Sequence, residues 1–226
     1  KFAMGIWKEK VRFIGAGAIG IAAIWTLITL IKPIIEGMKI SLQSMSGSSA
    51  ERELHRMDTD MSTKSVLIVF AIILIGLVVT FWDFVSAVPI SAGLMWTLVV
   101  VGVIVALLIG FFVAAACGYM AGLIGTSASP ISGIGILATI ISSLVVYFIA
   151  SENNLFATEA GVQFATAMAI FMTSVVIAIA SISNDNLQDL KTGQLVGATP
   201  WRQQIALLLG SVAGAIAIAP VLNLLY

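Results

Sequence analysis

Long apolar runs separated by short polar stretches dominate the chain. Six runs approach the roughly 20 residues that a helix needs to cross a bilayer. Within them the apolar residues are nearly continuous and are not confined to one helical stripe. A membrane β-strand needs only about 10 residues and alternates in polarity, which excludes a barrel. The pattern predicts an all-α polytopic integral membrane protein with about six transmembrane helices, at residues 11–31, 65–82, 94–117, 133–150, 162–183 and 203–225.

The composition favours the same fold class. Hydrophobic residues make up 60% of the 226 positions and charged residues only 10%, whereas an ordinary soluble domain has about 25% charged residues. So few charges cannot cover a water-facing surface, which excludes a soluble enzyme and a disordered chain. The 11 basic and 11 acidic residues balance, so no basic excess indicates nucleic acid. We expect a multi-pass protein of the cell (inner or plasma) membrane, with the lipid bilayer as its main partner.

The longest polar stretch, residues 32–64, sets the expected orientation. If all six runs cross the membrane, this connection shares one face with residues 118–132 and 184–202. That face carries seven basic residues and the opposite face four, all four near the N-terminus. Because Lys and Arg near span ends favour the cytoplasmic side, we expect residues 32–64 to form a polar cytoplasmic connection.

An uncharged segment rich in Gly, Ser and Pro interrupts the apolar pattern at residues 118–135. Hydroxyls and glycine backbone are compatible with membrane depth, where irregular backbone is tolerated if protein covers it or a cavity hydrates it. Ser129 as N-cap and Pro130 at the first helical position predict a helix whose N-terminus points into the segment. One interpretation is a tight turn with small-residue packing. The other is a broken or re-entrant segment that lines a substrate cavity through Gly125, Thr126, Ser127, Ser129, Pro130, Ser132 and Gly133.

A second polar segment covers residues 183–193. Asp185 and Asp189 are four residues apart and therefore share one helix face. Gly193 indicates a helix C-terminus, and Thr199-Pro200 predicts the start of the next helix. One interpretation is a solvated connector. The other is a gate or proton-coupling cluster formed by Asp185, Gln188, Asp189 and Lys191.

Catalytic and metal-binding patterns are scarce. An intramembrane serine protease would need a histidine within hydrogen-bond reach of its nucleophile, and the single histidine, His55, lies in the polar 32–64 stretch. The apolar runs supply no pair of facing acids for an aspartyl mechanism. One cysteine, Cys117, cannot form an internal disulfide. We expect no enzyme activity, no metal and no cofactor.

Both polar segments resemble motifs of the oligopeptide transporter (OPT) superfamily, in the prokaryotic branch related to the yellow-stripe metal-chelate transporters. The family pattern G-L-x-G-S-S-N-N-P-x-S-G is similar to residues 122–133, although Ala128 and Ser129 stand where the family often has two asparagines. The pattern D-x-x-Q-D-L-K-T-G, followed by G-A-T-P-x-x-Q-Q, is similar to residues 185–204. Further similarity lies at residues 220–223 and, more weakly, at residues 11–17.

The resemblance implies a secondary active transporter in which proton symport carries small peptides or metal chelates. Full family members are considerably longer, so we expect residues 1–226 to be one membrane domain from the C-terminal portion of a longer transporter. The alternative is a non-transporting membrane scaffold or channel-like subunit, which would not need the uncharged segment at residues 118–135. The sequence leaves the substrate and the oligomeric state open, a homo-oligomer included.

Overall fold

The structure is a computed structural model that describes residues 2–45 and 56–225. Six helices in this part of the chain are long and apolar enough to cross a membrane, and no strand occurs in it. The predicted all-α polytopic class is therefore confirmed. The α-helices are α1 (Phe2–Ile6), α2 (Arg12–Met45), α3 (Thr63–Ser86), α4 (Ala92–Ile124), α5 (Ile131–Glu152), α6 (Glu159–Leu195) and α7 (Pro200–Leu225).

Short irregular helices join these elements. A π-helical stretch, Trp7–Val11, connects α1 to α2, and 3-10 turns occur at Arg56–Asp58, Thr126–Ala128 and Leu155–Ala157. Hydroxyl caps begin three of the long helices, since such a side chain accepts a hydrogen bond from a free N–H of the first turn. The capping residues are Ser62 for α3, Ser91 for α4 and Thr158 for α6.

Two helices extend beyond the runs that hydropathy predicts. The first run ends at residue 31, but α2 continues through Pro33 to Met45. The predicted end of α6 near Gly193 is also wrong, because the helix continues to Leu195 and Gly197 follows it with φ +74°. Gly193 serves close packing instead, since a Cβ built there would overlap the side-chain amide of Gln203 on α7.

The core of the bundle is the contact between α4 and α6, the most extensive in the fold. The two helices run parallel, because Gly110 of α4 lies against Ile179 and Gly118 lies against Ser183. A Cβ at Gly110 would sit 2.7 Å from Ile179 Cδ1, so the glycine lets the Ile179 side chain lie directly against the backbone of α4. Gly122 has no such neighbour, and the Gly118/Gly122 pair therefore does not act as one packing motif.

The remaining helices surround this pair. Helix α5 packs antiparallel to α6, α3 packs Phe81 against Gly102 of α4, and α2 packs against α5. Helix α7 lies at the periphery, and none of its described residues is buried. The many exposed Ile, Leu, Val and Phe side chains on α2, α3 and α7 are the surface expected of helices that face hydrocarbon.

Candidate functional site: a connection folded back between α4 and α5

The α4–α5 connection, residues 125–130, reverses the chain inside the predicted Gly/Ser/Pro segment. Gly125 ends α4 with φ +93° and ψ +164°, a conformation that side chains with a Cβ rarely adopt. A 3-10 turn, Thr126–Ala128, and an extended Ser129 follow. Helix α5 then begins at Ile131 with Pro130 as its N-cap.

This connection runs back along the bundle. The Ser129 hydroxyl lies 3.2 Å from the carbonyl oxygen of Cys117. Cys117 precedes the last residue of α4, Ile124, by seven residues, which is about 10 Å at the α-helical rise. The start of α5 is therefore recessed below the end of α4.

The two predicted polar segments meet at this point. The Ser129 hydroxyl is hydrogen-bonded to the side-chain carbonyl oxygen of Asn184, and the backbone N–H of Thr126 donates to Gln188 Oε1 at 2.8 Å. Asn184 and Gln188 are one helical turn apart, so both amides project from the same face of α6. Asn184 is only 2% exposed, and a buried amide needs such partners. The amides of α6 thus satisfy polar groups of the irregular connection.

The serine predicted to cap α5 has a different role. The N-cap residue is Pro130, and no side chain caps the helix. The hydroxyl of Ser129 is instead within hydrogen-bond distance of Asn184 and of the Cys117 carbonyl. Because a hydroxyl carries one hydrogen, it donates to one of these two oxygens at a time. The predicted cap is therefore wrong by one residue.

The other residues predicted to bind substrate divide into three groups. Ser127 and Ser132 are exposed, and their hydroxyls are open to a ligand. Gly125 and Pro130 are half-buried and shape the backbone. Gly133 is buried against α2, where a Cβ would lie 2.5 Å from Ala23 Cβ, and it therefore serves helix packing.

The two carboxylates of the second predicted cluster lie apart from the connection. Asp185 and Asp189 are exposed and line a cleft of about 320 Å³ between α6 and α7, together with Asn186 and Ser211. Successive residues of a helix are about 100° apart, so the face carrying the carboxylates adjoins the face carrying Asn184 and Gln188. The structure thus separates Gln188 from the acidic pair.

Two cavities flank the α6 segment on its other side. An apolar cavity of about 690 Å³ lies between α2, α4 and α6. A smaller cavity of about 250 Å³ contains the fourth predicted gate residue, Lys191. Leu187 lines both cavities and separates them. Other lining residues of the apolar cavity are Pro33, Ile34, Phe111, Gly118, Tyr119 and Ser183.

A set of long-range hydrogen bonds, here named the clasp, joins the segment before α3 to the start of α7. Gln204 accepts from the Met61 N–H at 2.9 Å through Oε1 and donates to Asp60 Oδ1 at 3.2 Å through Nε2. The Trp201 N–H donates to the Thr59 carbonyl at 3.2 Å. The clasp also includes the hydrogen bond that Arg56 Nη2 donates to the carbonyl oxygen of Gly197 at 3.1 Å.

The clasp and Asn184 are features that sequence patterns do not single out. The G-A-T-P-x-x-Q-Q motif contains Gln204, but nothing in it indicates residues 59–61 as the partner. Asn184 stands next to Asp185, and the charged pair Asp185 and Asp189 is the more conspicuous pattern in this segment. The spacing of four residues between Asn184 and Gln188 could have indicated that the two amides share a helix face. His55 lies outside the described residues, and the described part of the chain has no group of three or more His, Cys, Asp or Glu placed to hold a metal ion.

Comparison with known proteins gives two matches. Residues 2–226 match the family described as OPT oligopeptide transporter protein. The chain is 54% identical over 224 residues to a Haemophilus influenzae protein named "Putative oligopeptide transporter". That alignment covers 99% of this chain and 35% of the relative, so the chain spans about a third of the relative's length. No solved structure matches the chain.

Proposed function

Because the chain belongs to the OPT oligopeptide transporter family, we propose that it forms part of a secondary active transporter of small peptides or metal chelates, driven by proton symport. The observation that carries this proposal is the contact between the two family-like motifs, in which the Thr126 N–H donates to Gln188. The Ser129–Asn184 hydrogen bond, one residue before the second motif, reinforces that contact. A family name that specifies a transporter also favours transport over catalysis. The relative's printed name supports peptides as the substrate class.

The α4–α5 connection is the proposed substrate-binding element. Thr126 and Ser129 position it against α6, while the exposed hydroxyls of Ser127 and Ser132 are free to contact substrate. The Ile131 N–H at the start of α5 donates to the Ser129 carbonyl at 2.9 Å, so the N–H groups of Ser132 and Gly133 are the ones without an intrahelical acceptor. The positive end of the helix dipole favours an anionic group. A peptide carboxylate or a chelate carboxylate supplies that charge.

Asp185 and Asp189 are the proposed proton-coupling or gating pair. Both carboxylates line the cleft between α6 and α7, and no ion pair involving them occurs among the described residues. Carboxylates without a cationic partner can accept protons as a gate changes shape. One charge that crosses 100 mV supplies about 2.3 kcal/mol, enough for more than tenfold accumulation.

The proposed orientation places the clasp end of the bundle in the cytoplasm, within one membrane domain. Residues 56–61, 125–130 and 197–204 all lie at that end, since hydrogen bonds join the first segment to the third and α6 to the second. This arrangement supports the expectation that residues 32–64, 118–132 and 184–202 share one face of the membrane, the face with the larger number of Lys and Arg residues. The proposal includes the inner or plasma membrane as location and leaves the oligomeric state open.

Uptake by the reconstituted full-length protein tests the proposal. Proteoliposomes receive an imposed pH gradient, and labelled alanyl-alanine or a labelled metal chelate is added outside. We expect accumulation that a protonophore abolishes, and reduced accumulation in a Ser129→Ala variant but not in the matched control Ser143→Ala, an exposed serine of α5. Uptake that only equilibrates, whatever the pH gradient, would favour a channel-like subunit. No uptake of either class in correctly inserted protein would favour a scaffold.

A further inference from the structure

The cavity of about 250 Å³ beside the α4–α5 connection, here named the end cleft, contains one anionic and one cationic side chain. Its walls come from four parts of the chain. Met57 and Asp60 precede α3, Gly122 belongs to α4, and Leu187, Leu190, Lys191 and Gln194 belong to α6; Pro200 starts α7. Asp60 and Lys191 thus line one cavity from different segments.

Neither charge is neutralised by the other. Lys191 Nζ donates to Gln194 Oε1 at 2.8 Å, and Asp60 Oδ1 accepts from Gln204 Nε2 at 3.2 Å. No ion pair joins Asp60 to Lys191. An ammonium has three donors and a carboxylate about four acceptor positions, so each group retains capacity for a ligand of opposite charge. Neither charge has an ion-pair partner within residues 2–45 and 56–225. Two such opposite charges in one cleft are complementary to a zwitterion.

The clasp holds one of these charges in place. Gln204 bonds both the Asp60 carboxylate and the following backbone N–H, at Met61. The Trp201–Thr59 hydrogen bond fixes the same segment from its other side. A binding group that is already ordered loses less conformational entropy when the ligand arrives. Gln204 is therefore a positioning residue for Asp60.

We infer that the end cleft binds both termini of a short unmodified peptide, with the peptide ammonium on Asp60 and the peptide carboxylate on Lys191. The inference rests on the proposed transport function and narrows its substrate class to zwitterions. It assigns the peptide carboxylate to Lys191 in place of the N-terminus of α5, which is then left for the carboxylate of a metal chelate. The cleft volume of about 250 Å³ lies just below that of drug-sized ligand sites, roughly 300 to 1,000 Å³, and therefore suits a ligand no larger than a dipeptide. Gly122 leaves one wall without a side chain, and Gln188 lies one turn before this part of α6.

The test compares alanyl-alanine with its N-acetylated and its C-amidated forms, using purified full-length protein for equilibrium binding and proteoliposomes for uptake. Because both charges are exposed, capping either terminus is expected to weaken wild-type binding by about threefold to tenfold. Asp60→Asn is expected to remove the discrimination against the acetylated peptide only. Lys191→Gln is expected to remove the discrimination against the amidated peptide only.

Matched controls remove equivalent charges outside the cleft. The control variants are Asp83→Asn and Lys64→Gln. Asp83 lies near the C-terminal end of α3 and Lys64 near its start, and both side chains are exposed. Both controls are expected to discriminate as the wild type does. Asp60→Glu retains the charge and is expected to keep the preference for a free ammonium, which distinguishes a charge effect from a folding effect. Gln204→Met is expected to weaken that preference without altering the response to amidation.

The outcomes separate this inference from the proposed function. If wild-type protein accumulates alanyl-alanine while Asp60→Asn and Lys191→Gln discriminate normally, the end cleft is not the terminus-binding site and the transport proposal stands. If the wild type ignores both caps, the inference is also overturned. If the protein accumulates a metal chelate and neither binds nor accumulates any of the peptides, the peptide part of the proposed function is overturned together with the inference.

Discussion

The hydroxyl of Ser129 is hydrogen-bonded to the buried amide of Asn184, a residue 55 positions later in the chain. This bond joins the start of α5 to the residue of α6 that immediately precedes the family-like motif at 185–204. Its neighbour, the bond from the Thr126 N–H to Gln188 one turn further along α6, fixes the same connection at a second point. The irregular backbone between α4 and α5 is thus held by side chains of a helix that is distant in sequence.

Removal of either partner of the Ser129–Asn184 bond should destabilise the protein. Ser129→Ala leaves the buried side-chain oxygen of Asn184 without this hydrogen bond, at an expected cost of about 1–3 kcal/mol. Asn184→Ala should cost less, because the Ser129 hydroxyl keeps the Cys117 carbonyl as an acceptor. Ser129→Ala and Asn184→Ala should be less than additive in combination, since both remove the same interaction. Thermal unfolding of the detergent-solubilised full-length protein measures the coupling. Strict additivity of the two changes would show that the bond does not contribute.

Loss of the Gln188 acceptor should impair transport more than folding. Gln188→Ala leaves the Thr126 N–H without its partner and frees the 3-10 turn to move. We expect uptake to fall about tenfold or more, a loss of about 1.4 kcal/mol of positioning. Gln188→Glu keeps an acceptor oxygen and should retain more uptake than the alanine variant. The control is Gln163→Ala, an exposed glutamine near the start of α6, and an equal effect in that variant would contradict the assigned role.

Substitutions at Gly125 and at Gly133 should lower stability for different reasons. No atom lies within 4 Å of a Cβ built at Gly125, so Gly125→Ala meets only the unfavourable backbone conformation, which costs about 1–3 kcal/mol. We expect folded protein with reduced uptake and a lower melting temperature. Wild-type stability and uptake in Gly125→Ala would show that the chain can reverse there without a positive φ.

Gly133→Ala should displace α2, because the added methyl group would meet Ala23 Cβ at 2.5 Å. The second change Ala23→Gly removes that methyl group and should restore part of the lost stability. The melting temperatures of the two single variants and the double variant measure this compensation. An unchanged melting temperature in Gly133→Ala alone would contradict the close contact between α2 and α5.

Asp185→Asn and Asp189→Asn should separate proton coupling from substrate binding. Each change preserves side-chain shape and removes a site for a proton. We expect gradient-driven accumulation to fall in at least one variant, while exchange of labelled for unlabelled substrate at equal pH persists. The exposed residue Glu159, at the start of α6, provides the control as Glu159→Gln. Gradient-driven accumulation at the wild-type level in both Asn variants would return the pair to the role of solvated connector residues.

The orientation can be tested by accessibility. Single cysteines at Asp58 and Asn153, introduced into a cysteine-free full-length protein, should react with a membrane-impermeant reagent from opposite sides. Asp58 precedes α3 at the clasp end, and Asn153 follows α5 at the other end of the bundle. Labelling of both positions from the same side would contradict the topology with six crossings.

Hydropathy was sufficient to locate the six long apolar helices of residues 2–45 and 56–225, because hydrocarbon offers no hydrogen bonds and a long apolar run can satisfy its backbone there only as a helix. The ends of the helices were harder to predict from the sequence. Gly193 resembles a terminating residue in sequence, and only the approach of Gln203 explains why a glycine stands inside the helix. The distinction between a terminating and a packing glycine depends on an atom from another helix.

The polar segments at 118–135 and 183–193 were also visible in the sequence, but their contact was not. Helical spacing correctly placed Asp185 and Asp189 on one face, yet spacing alone could not show that the adjoining face, with Asn184 and Gln188, meets the connection. Which face of α6 meets the connection depends on the register between α4 and α6. The close approach of α6 at Gly110 and Gly118 sets that register. Local periodicity determines which residues share a face, whereas packing between helices determines what that face contacts.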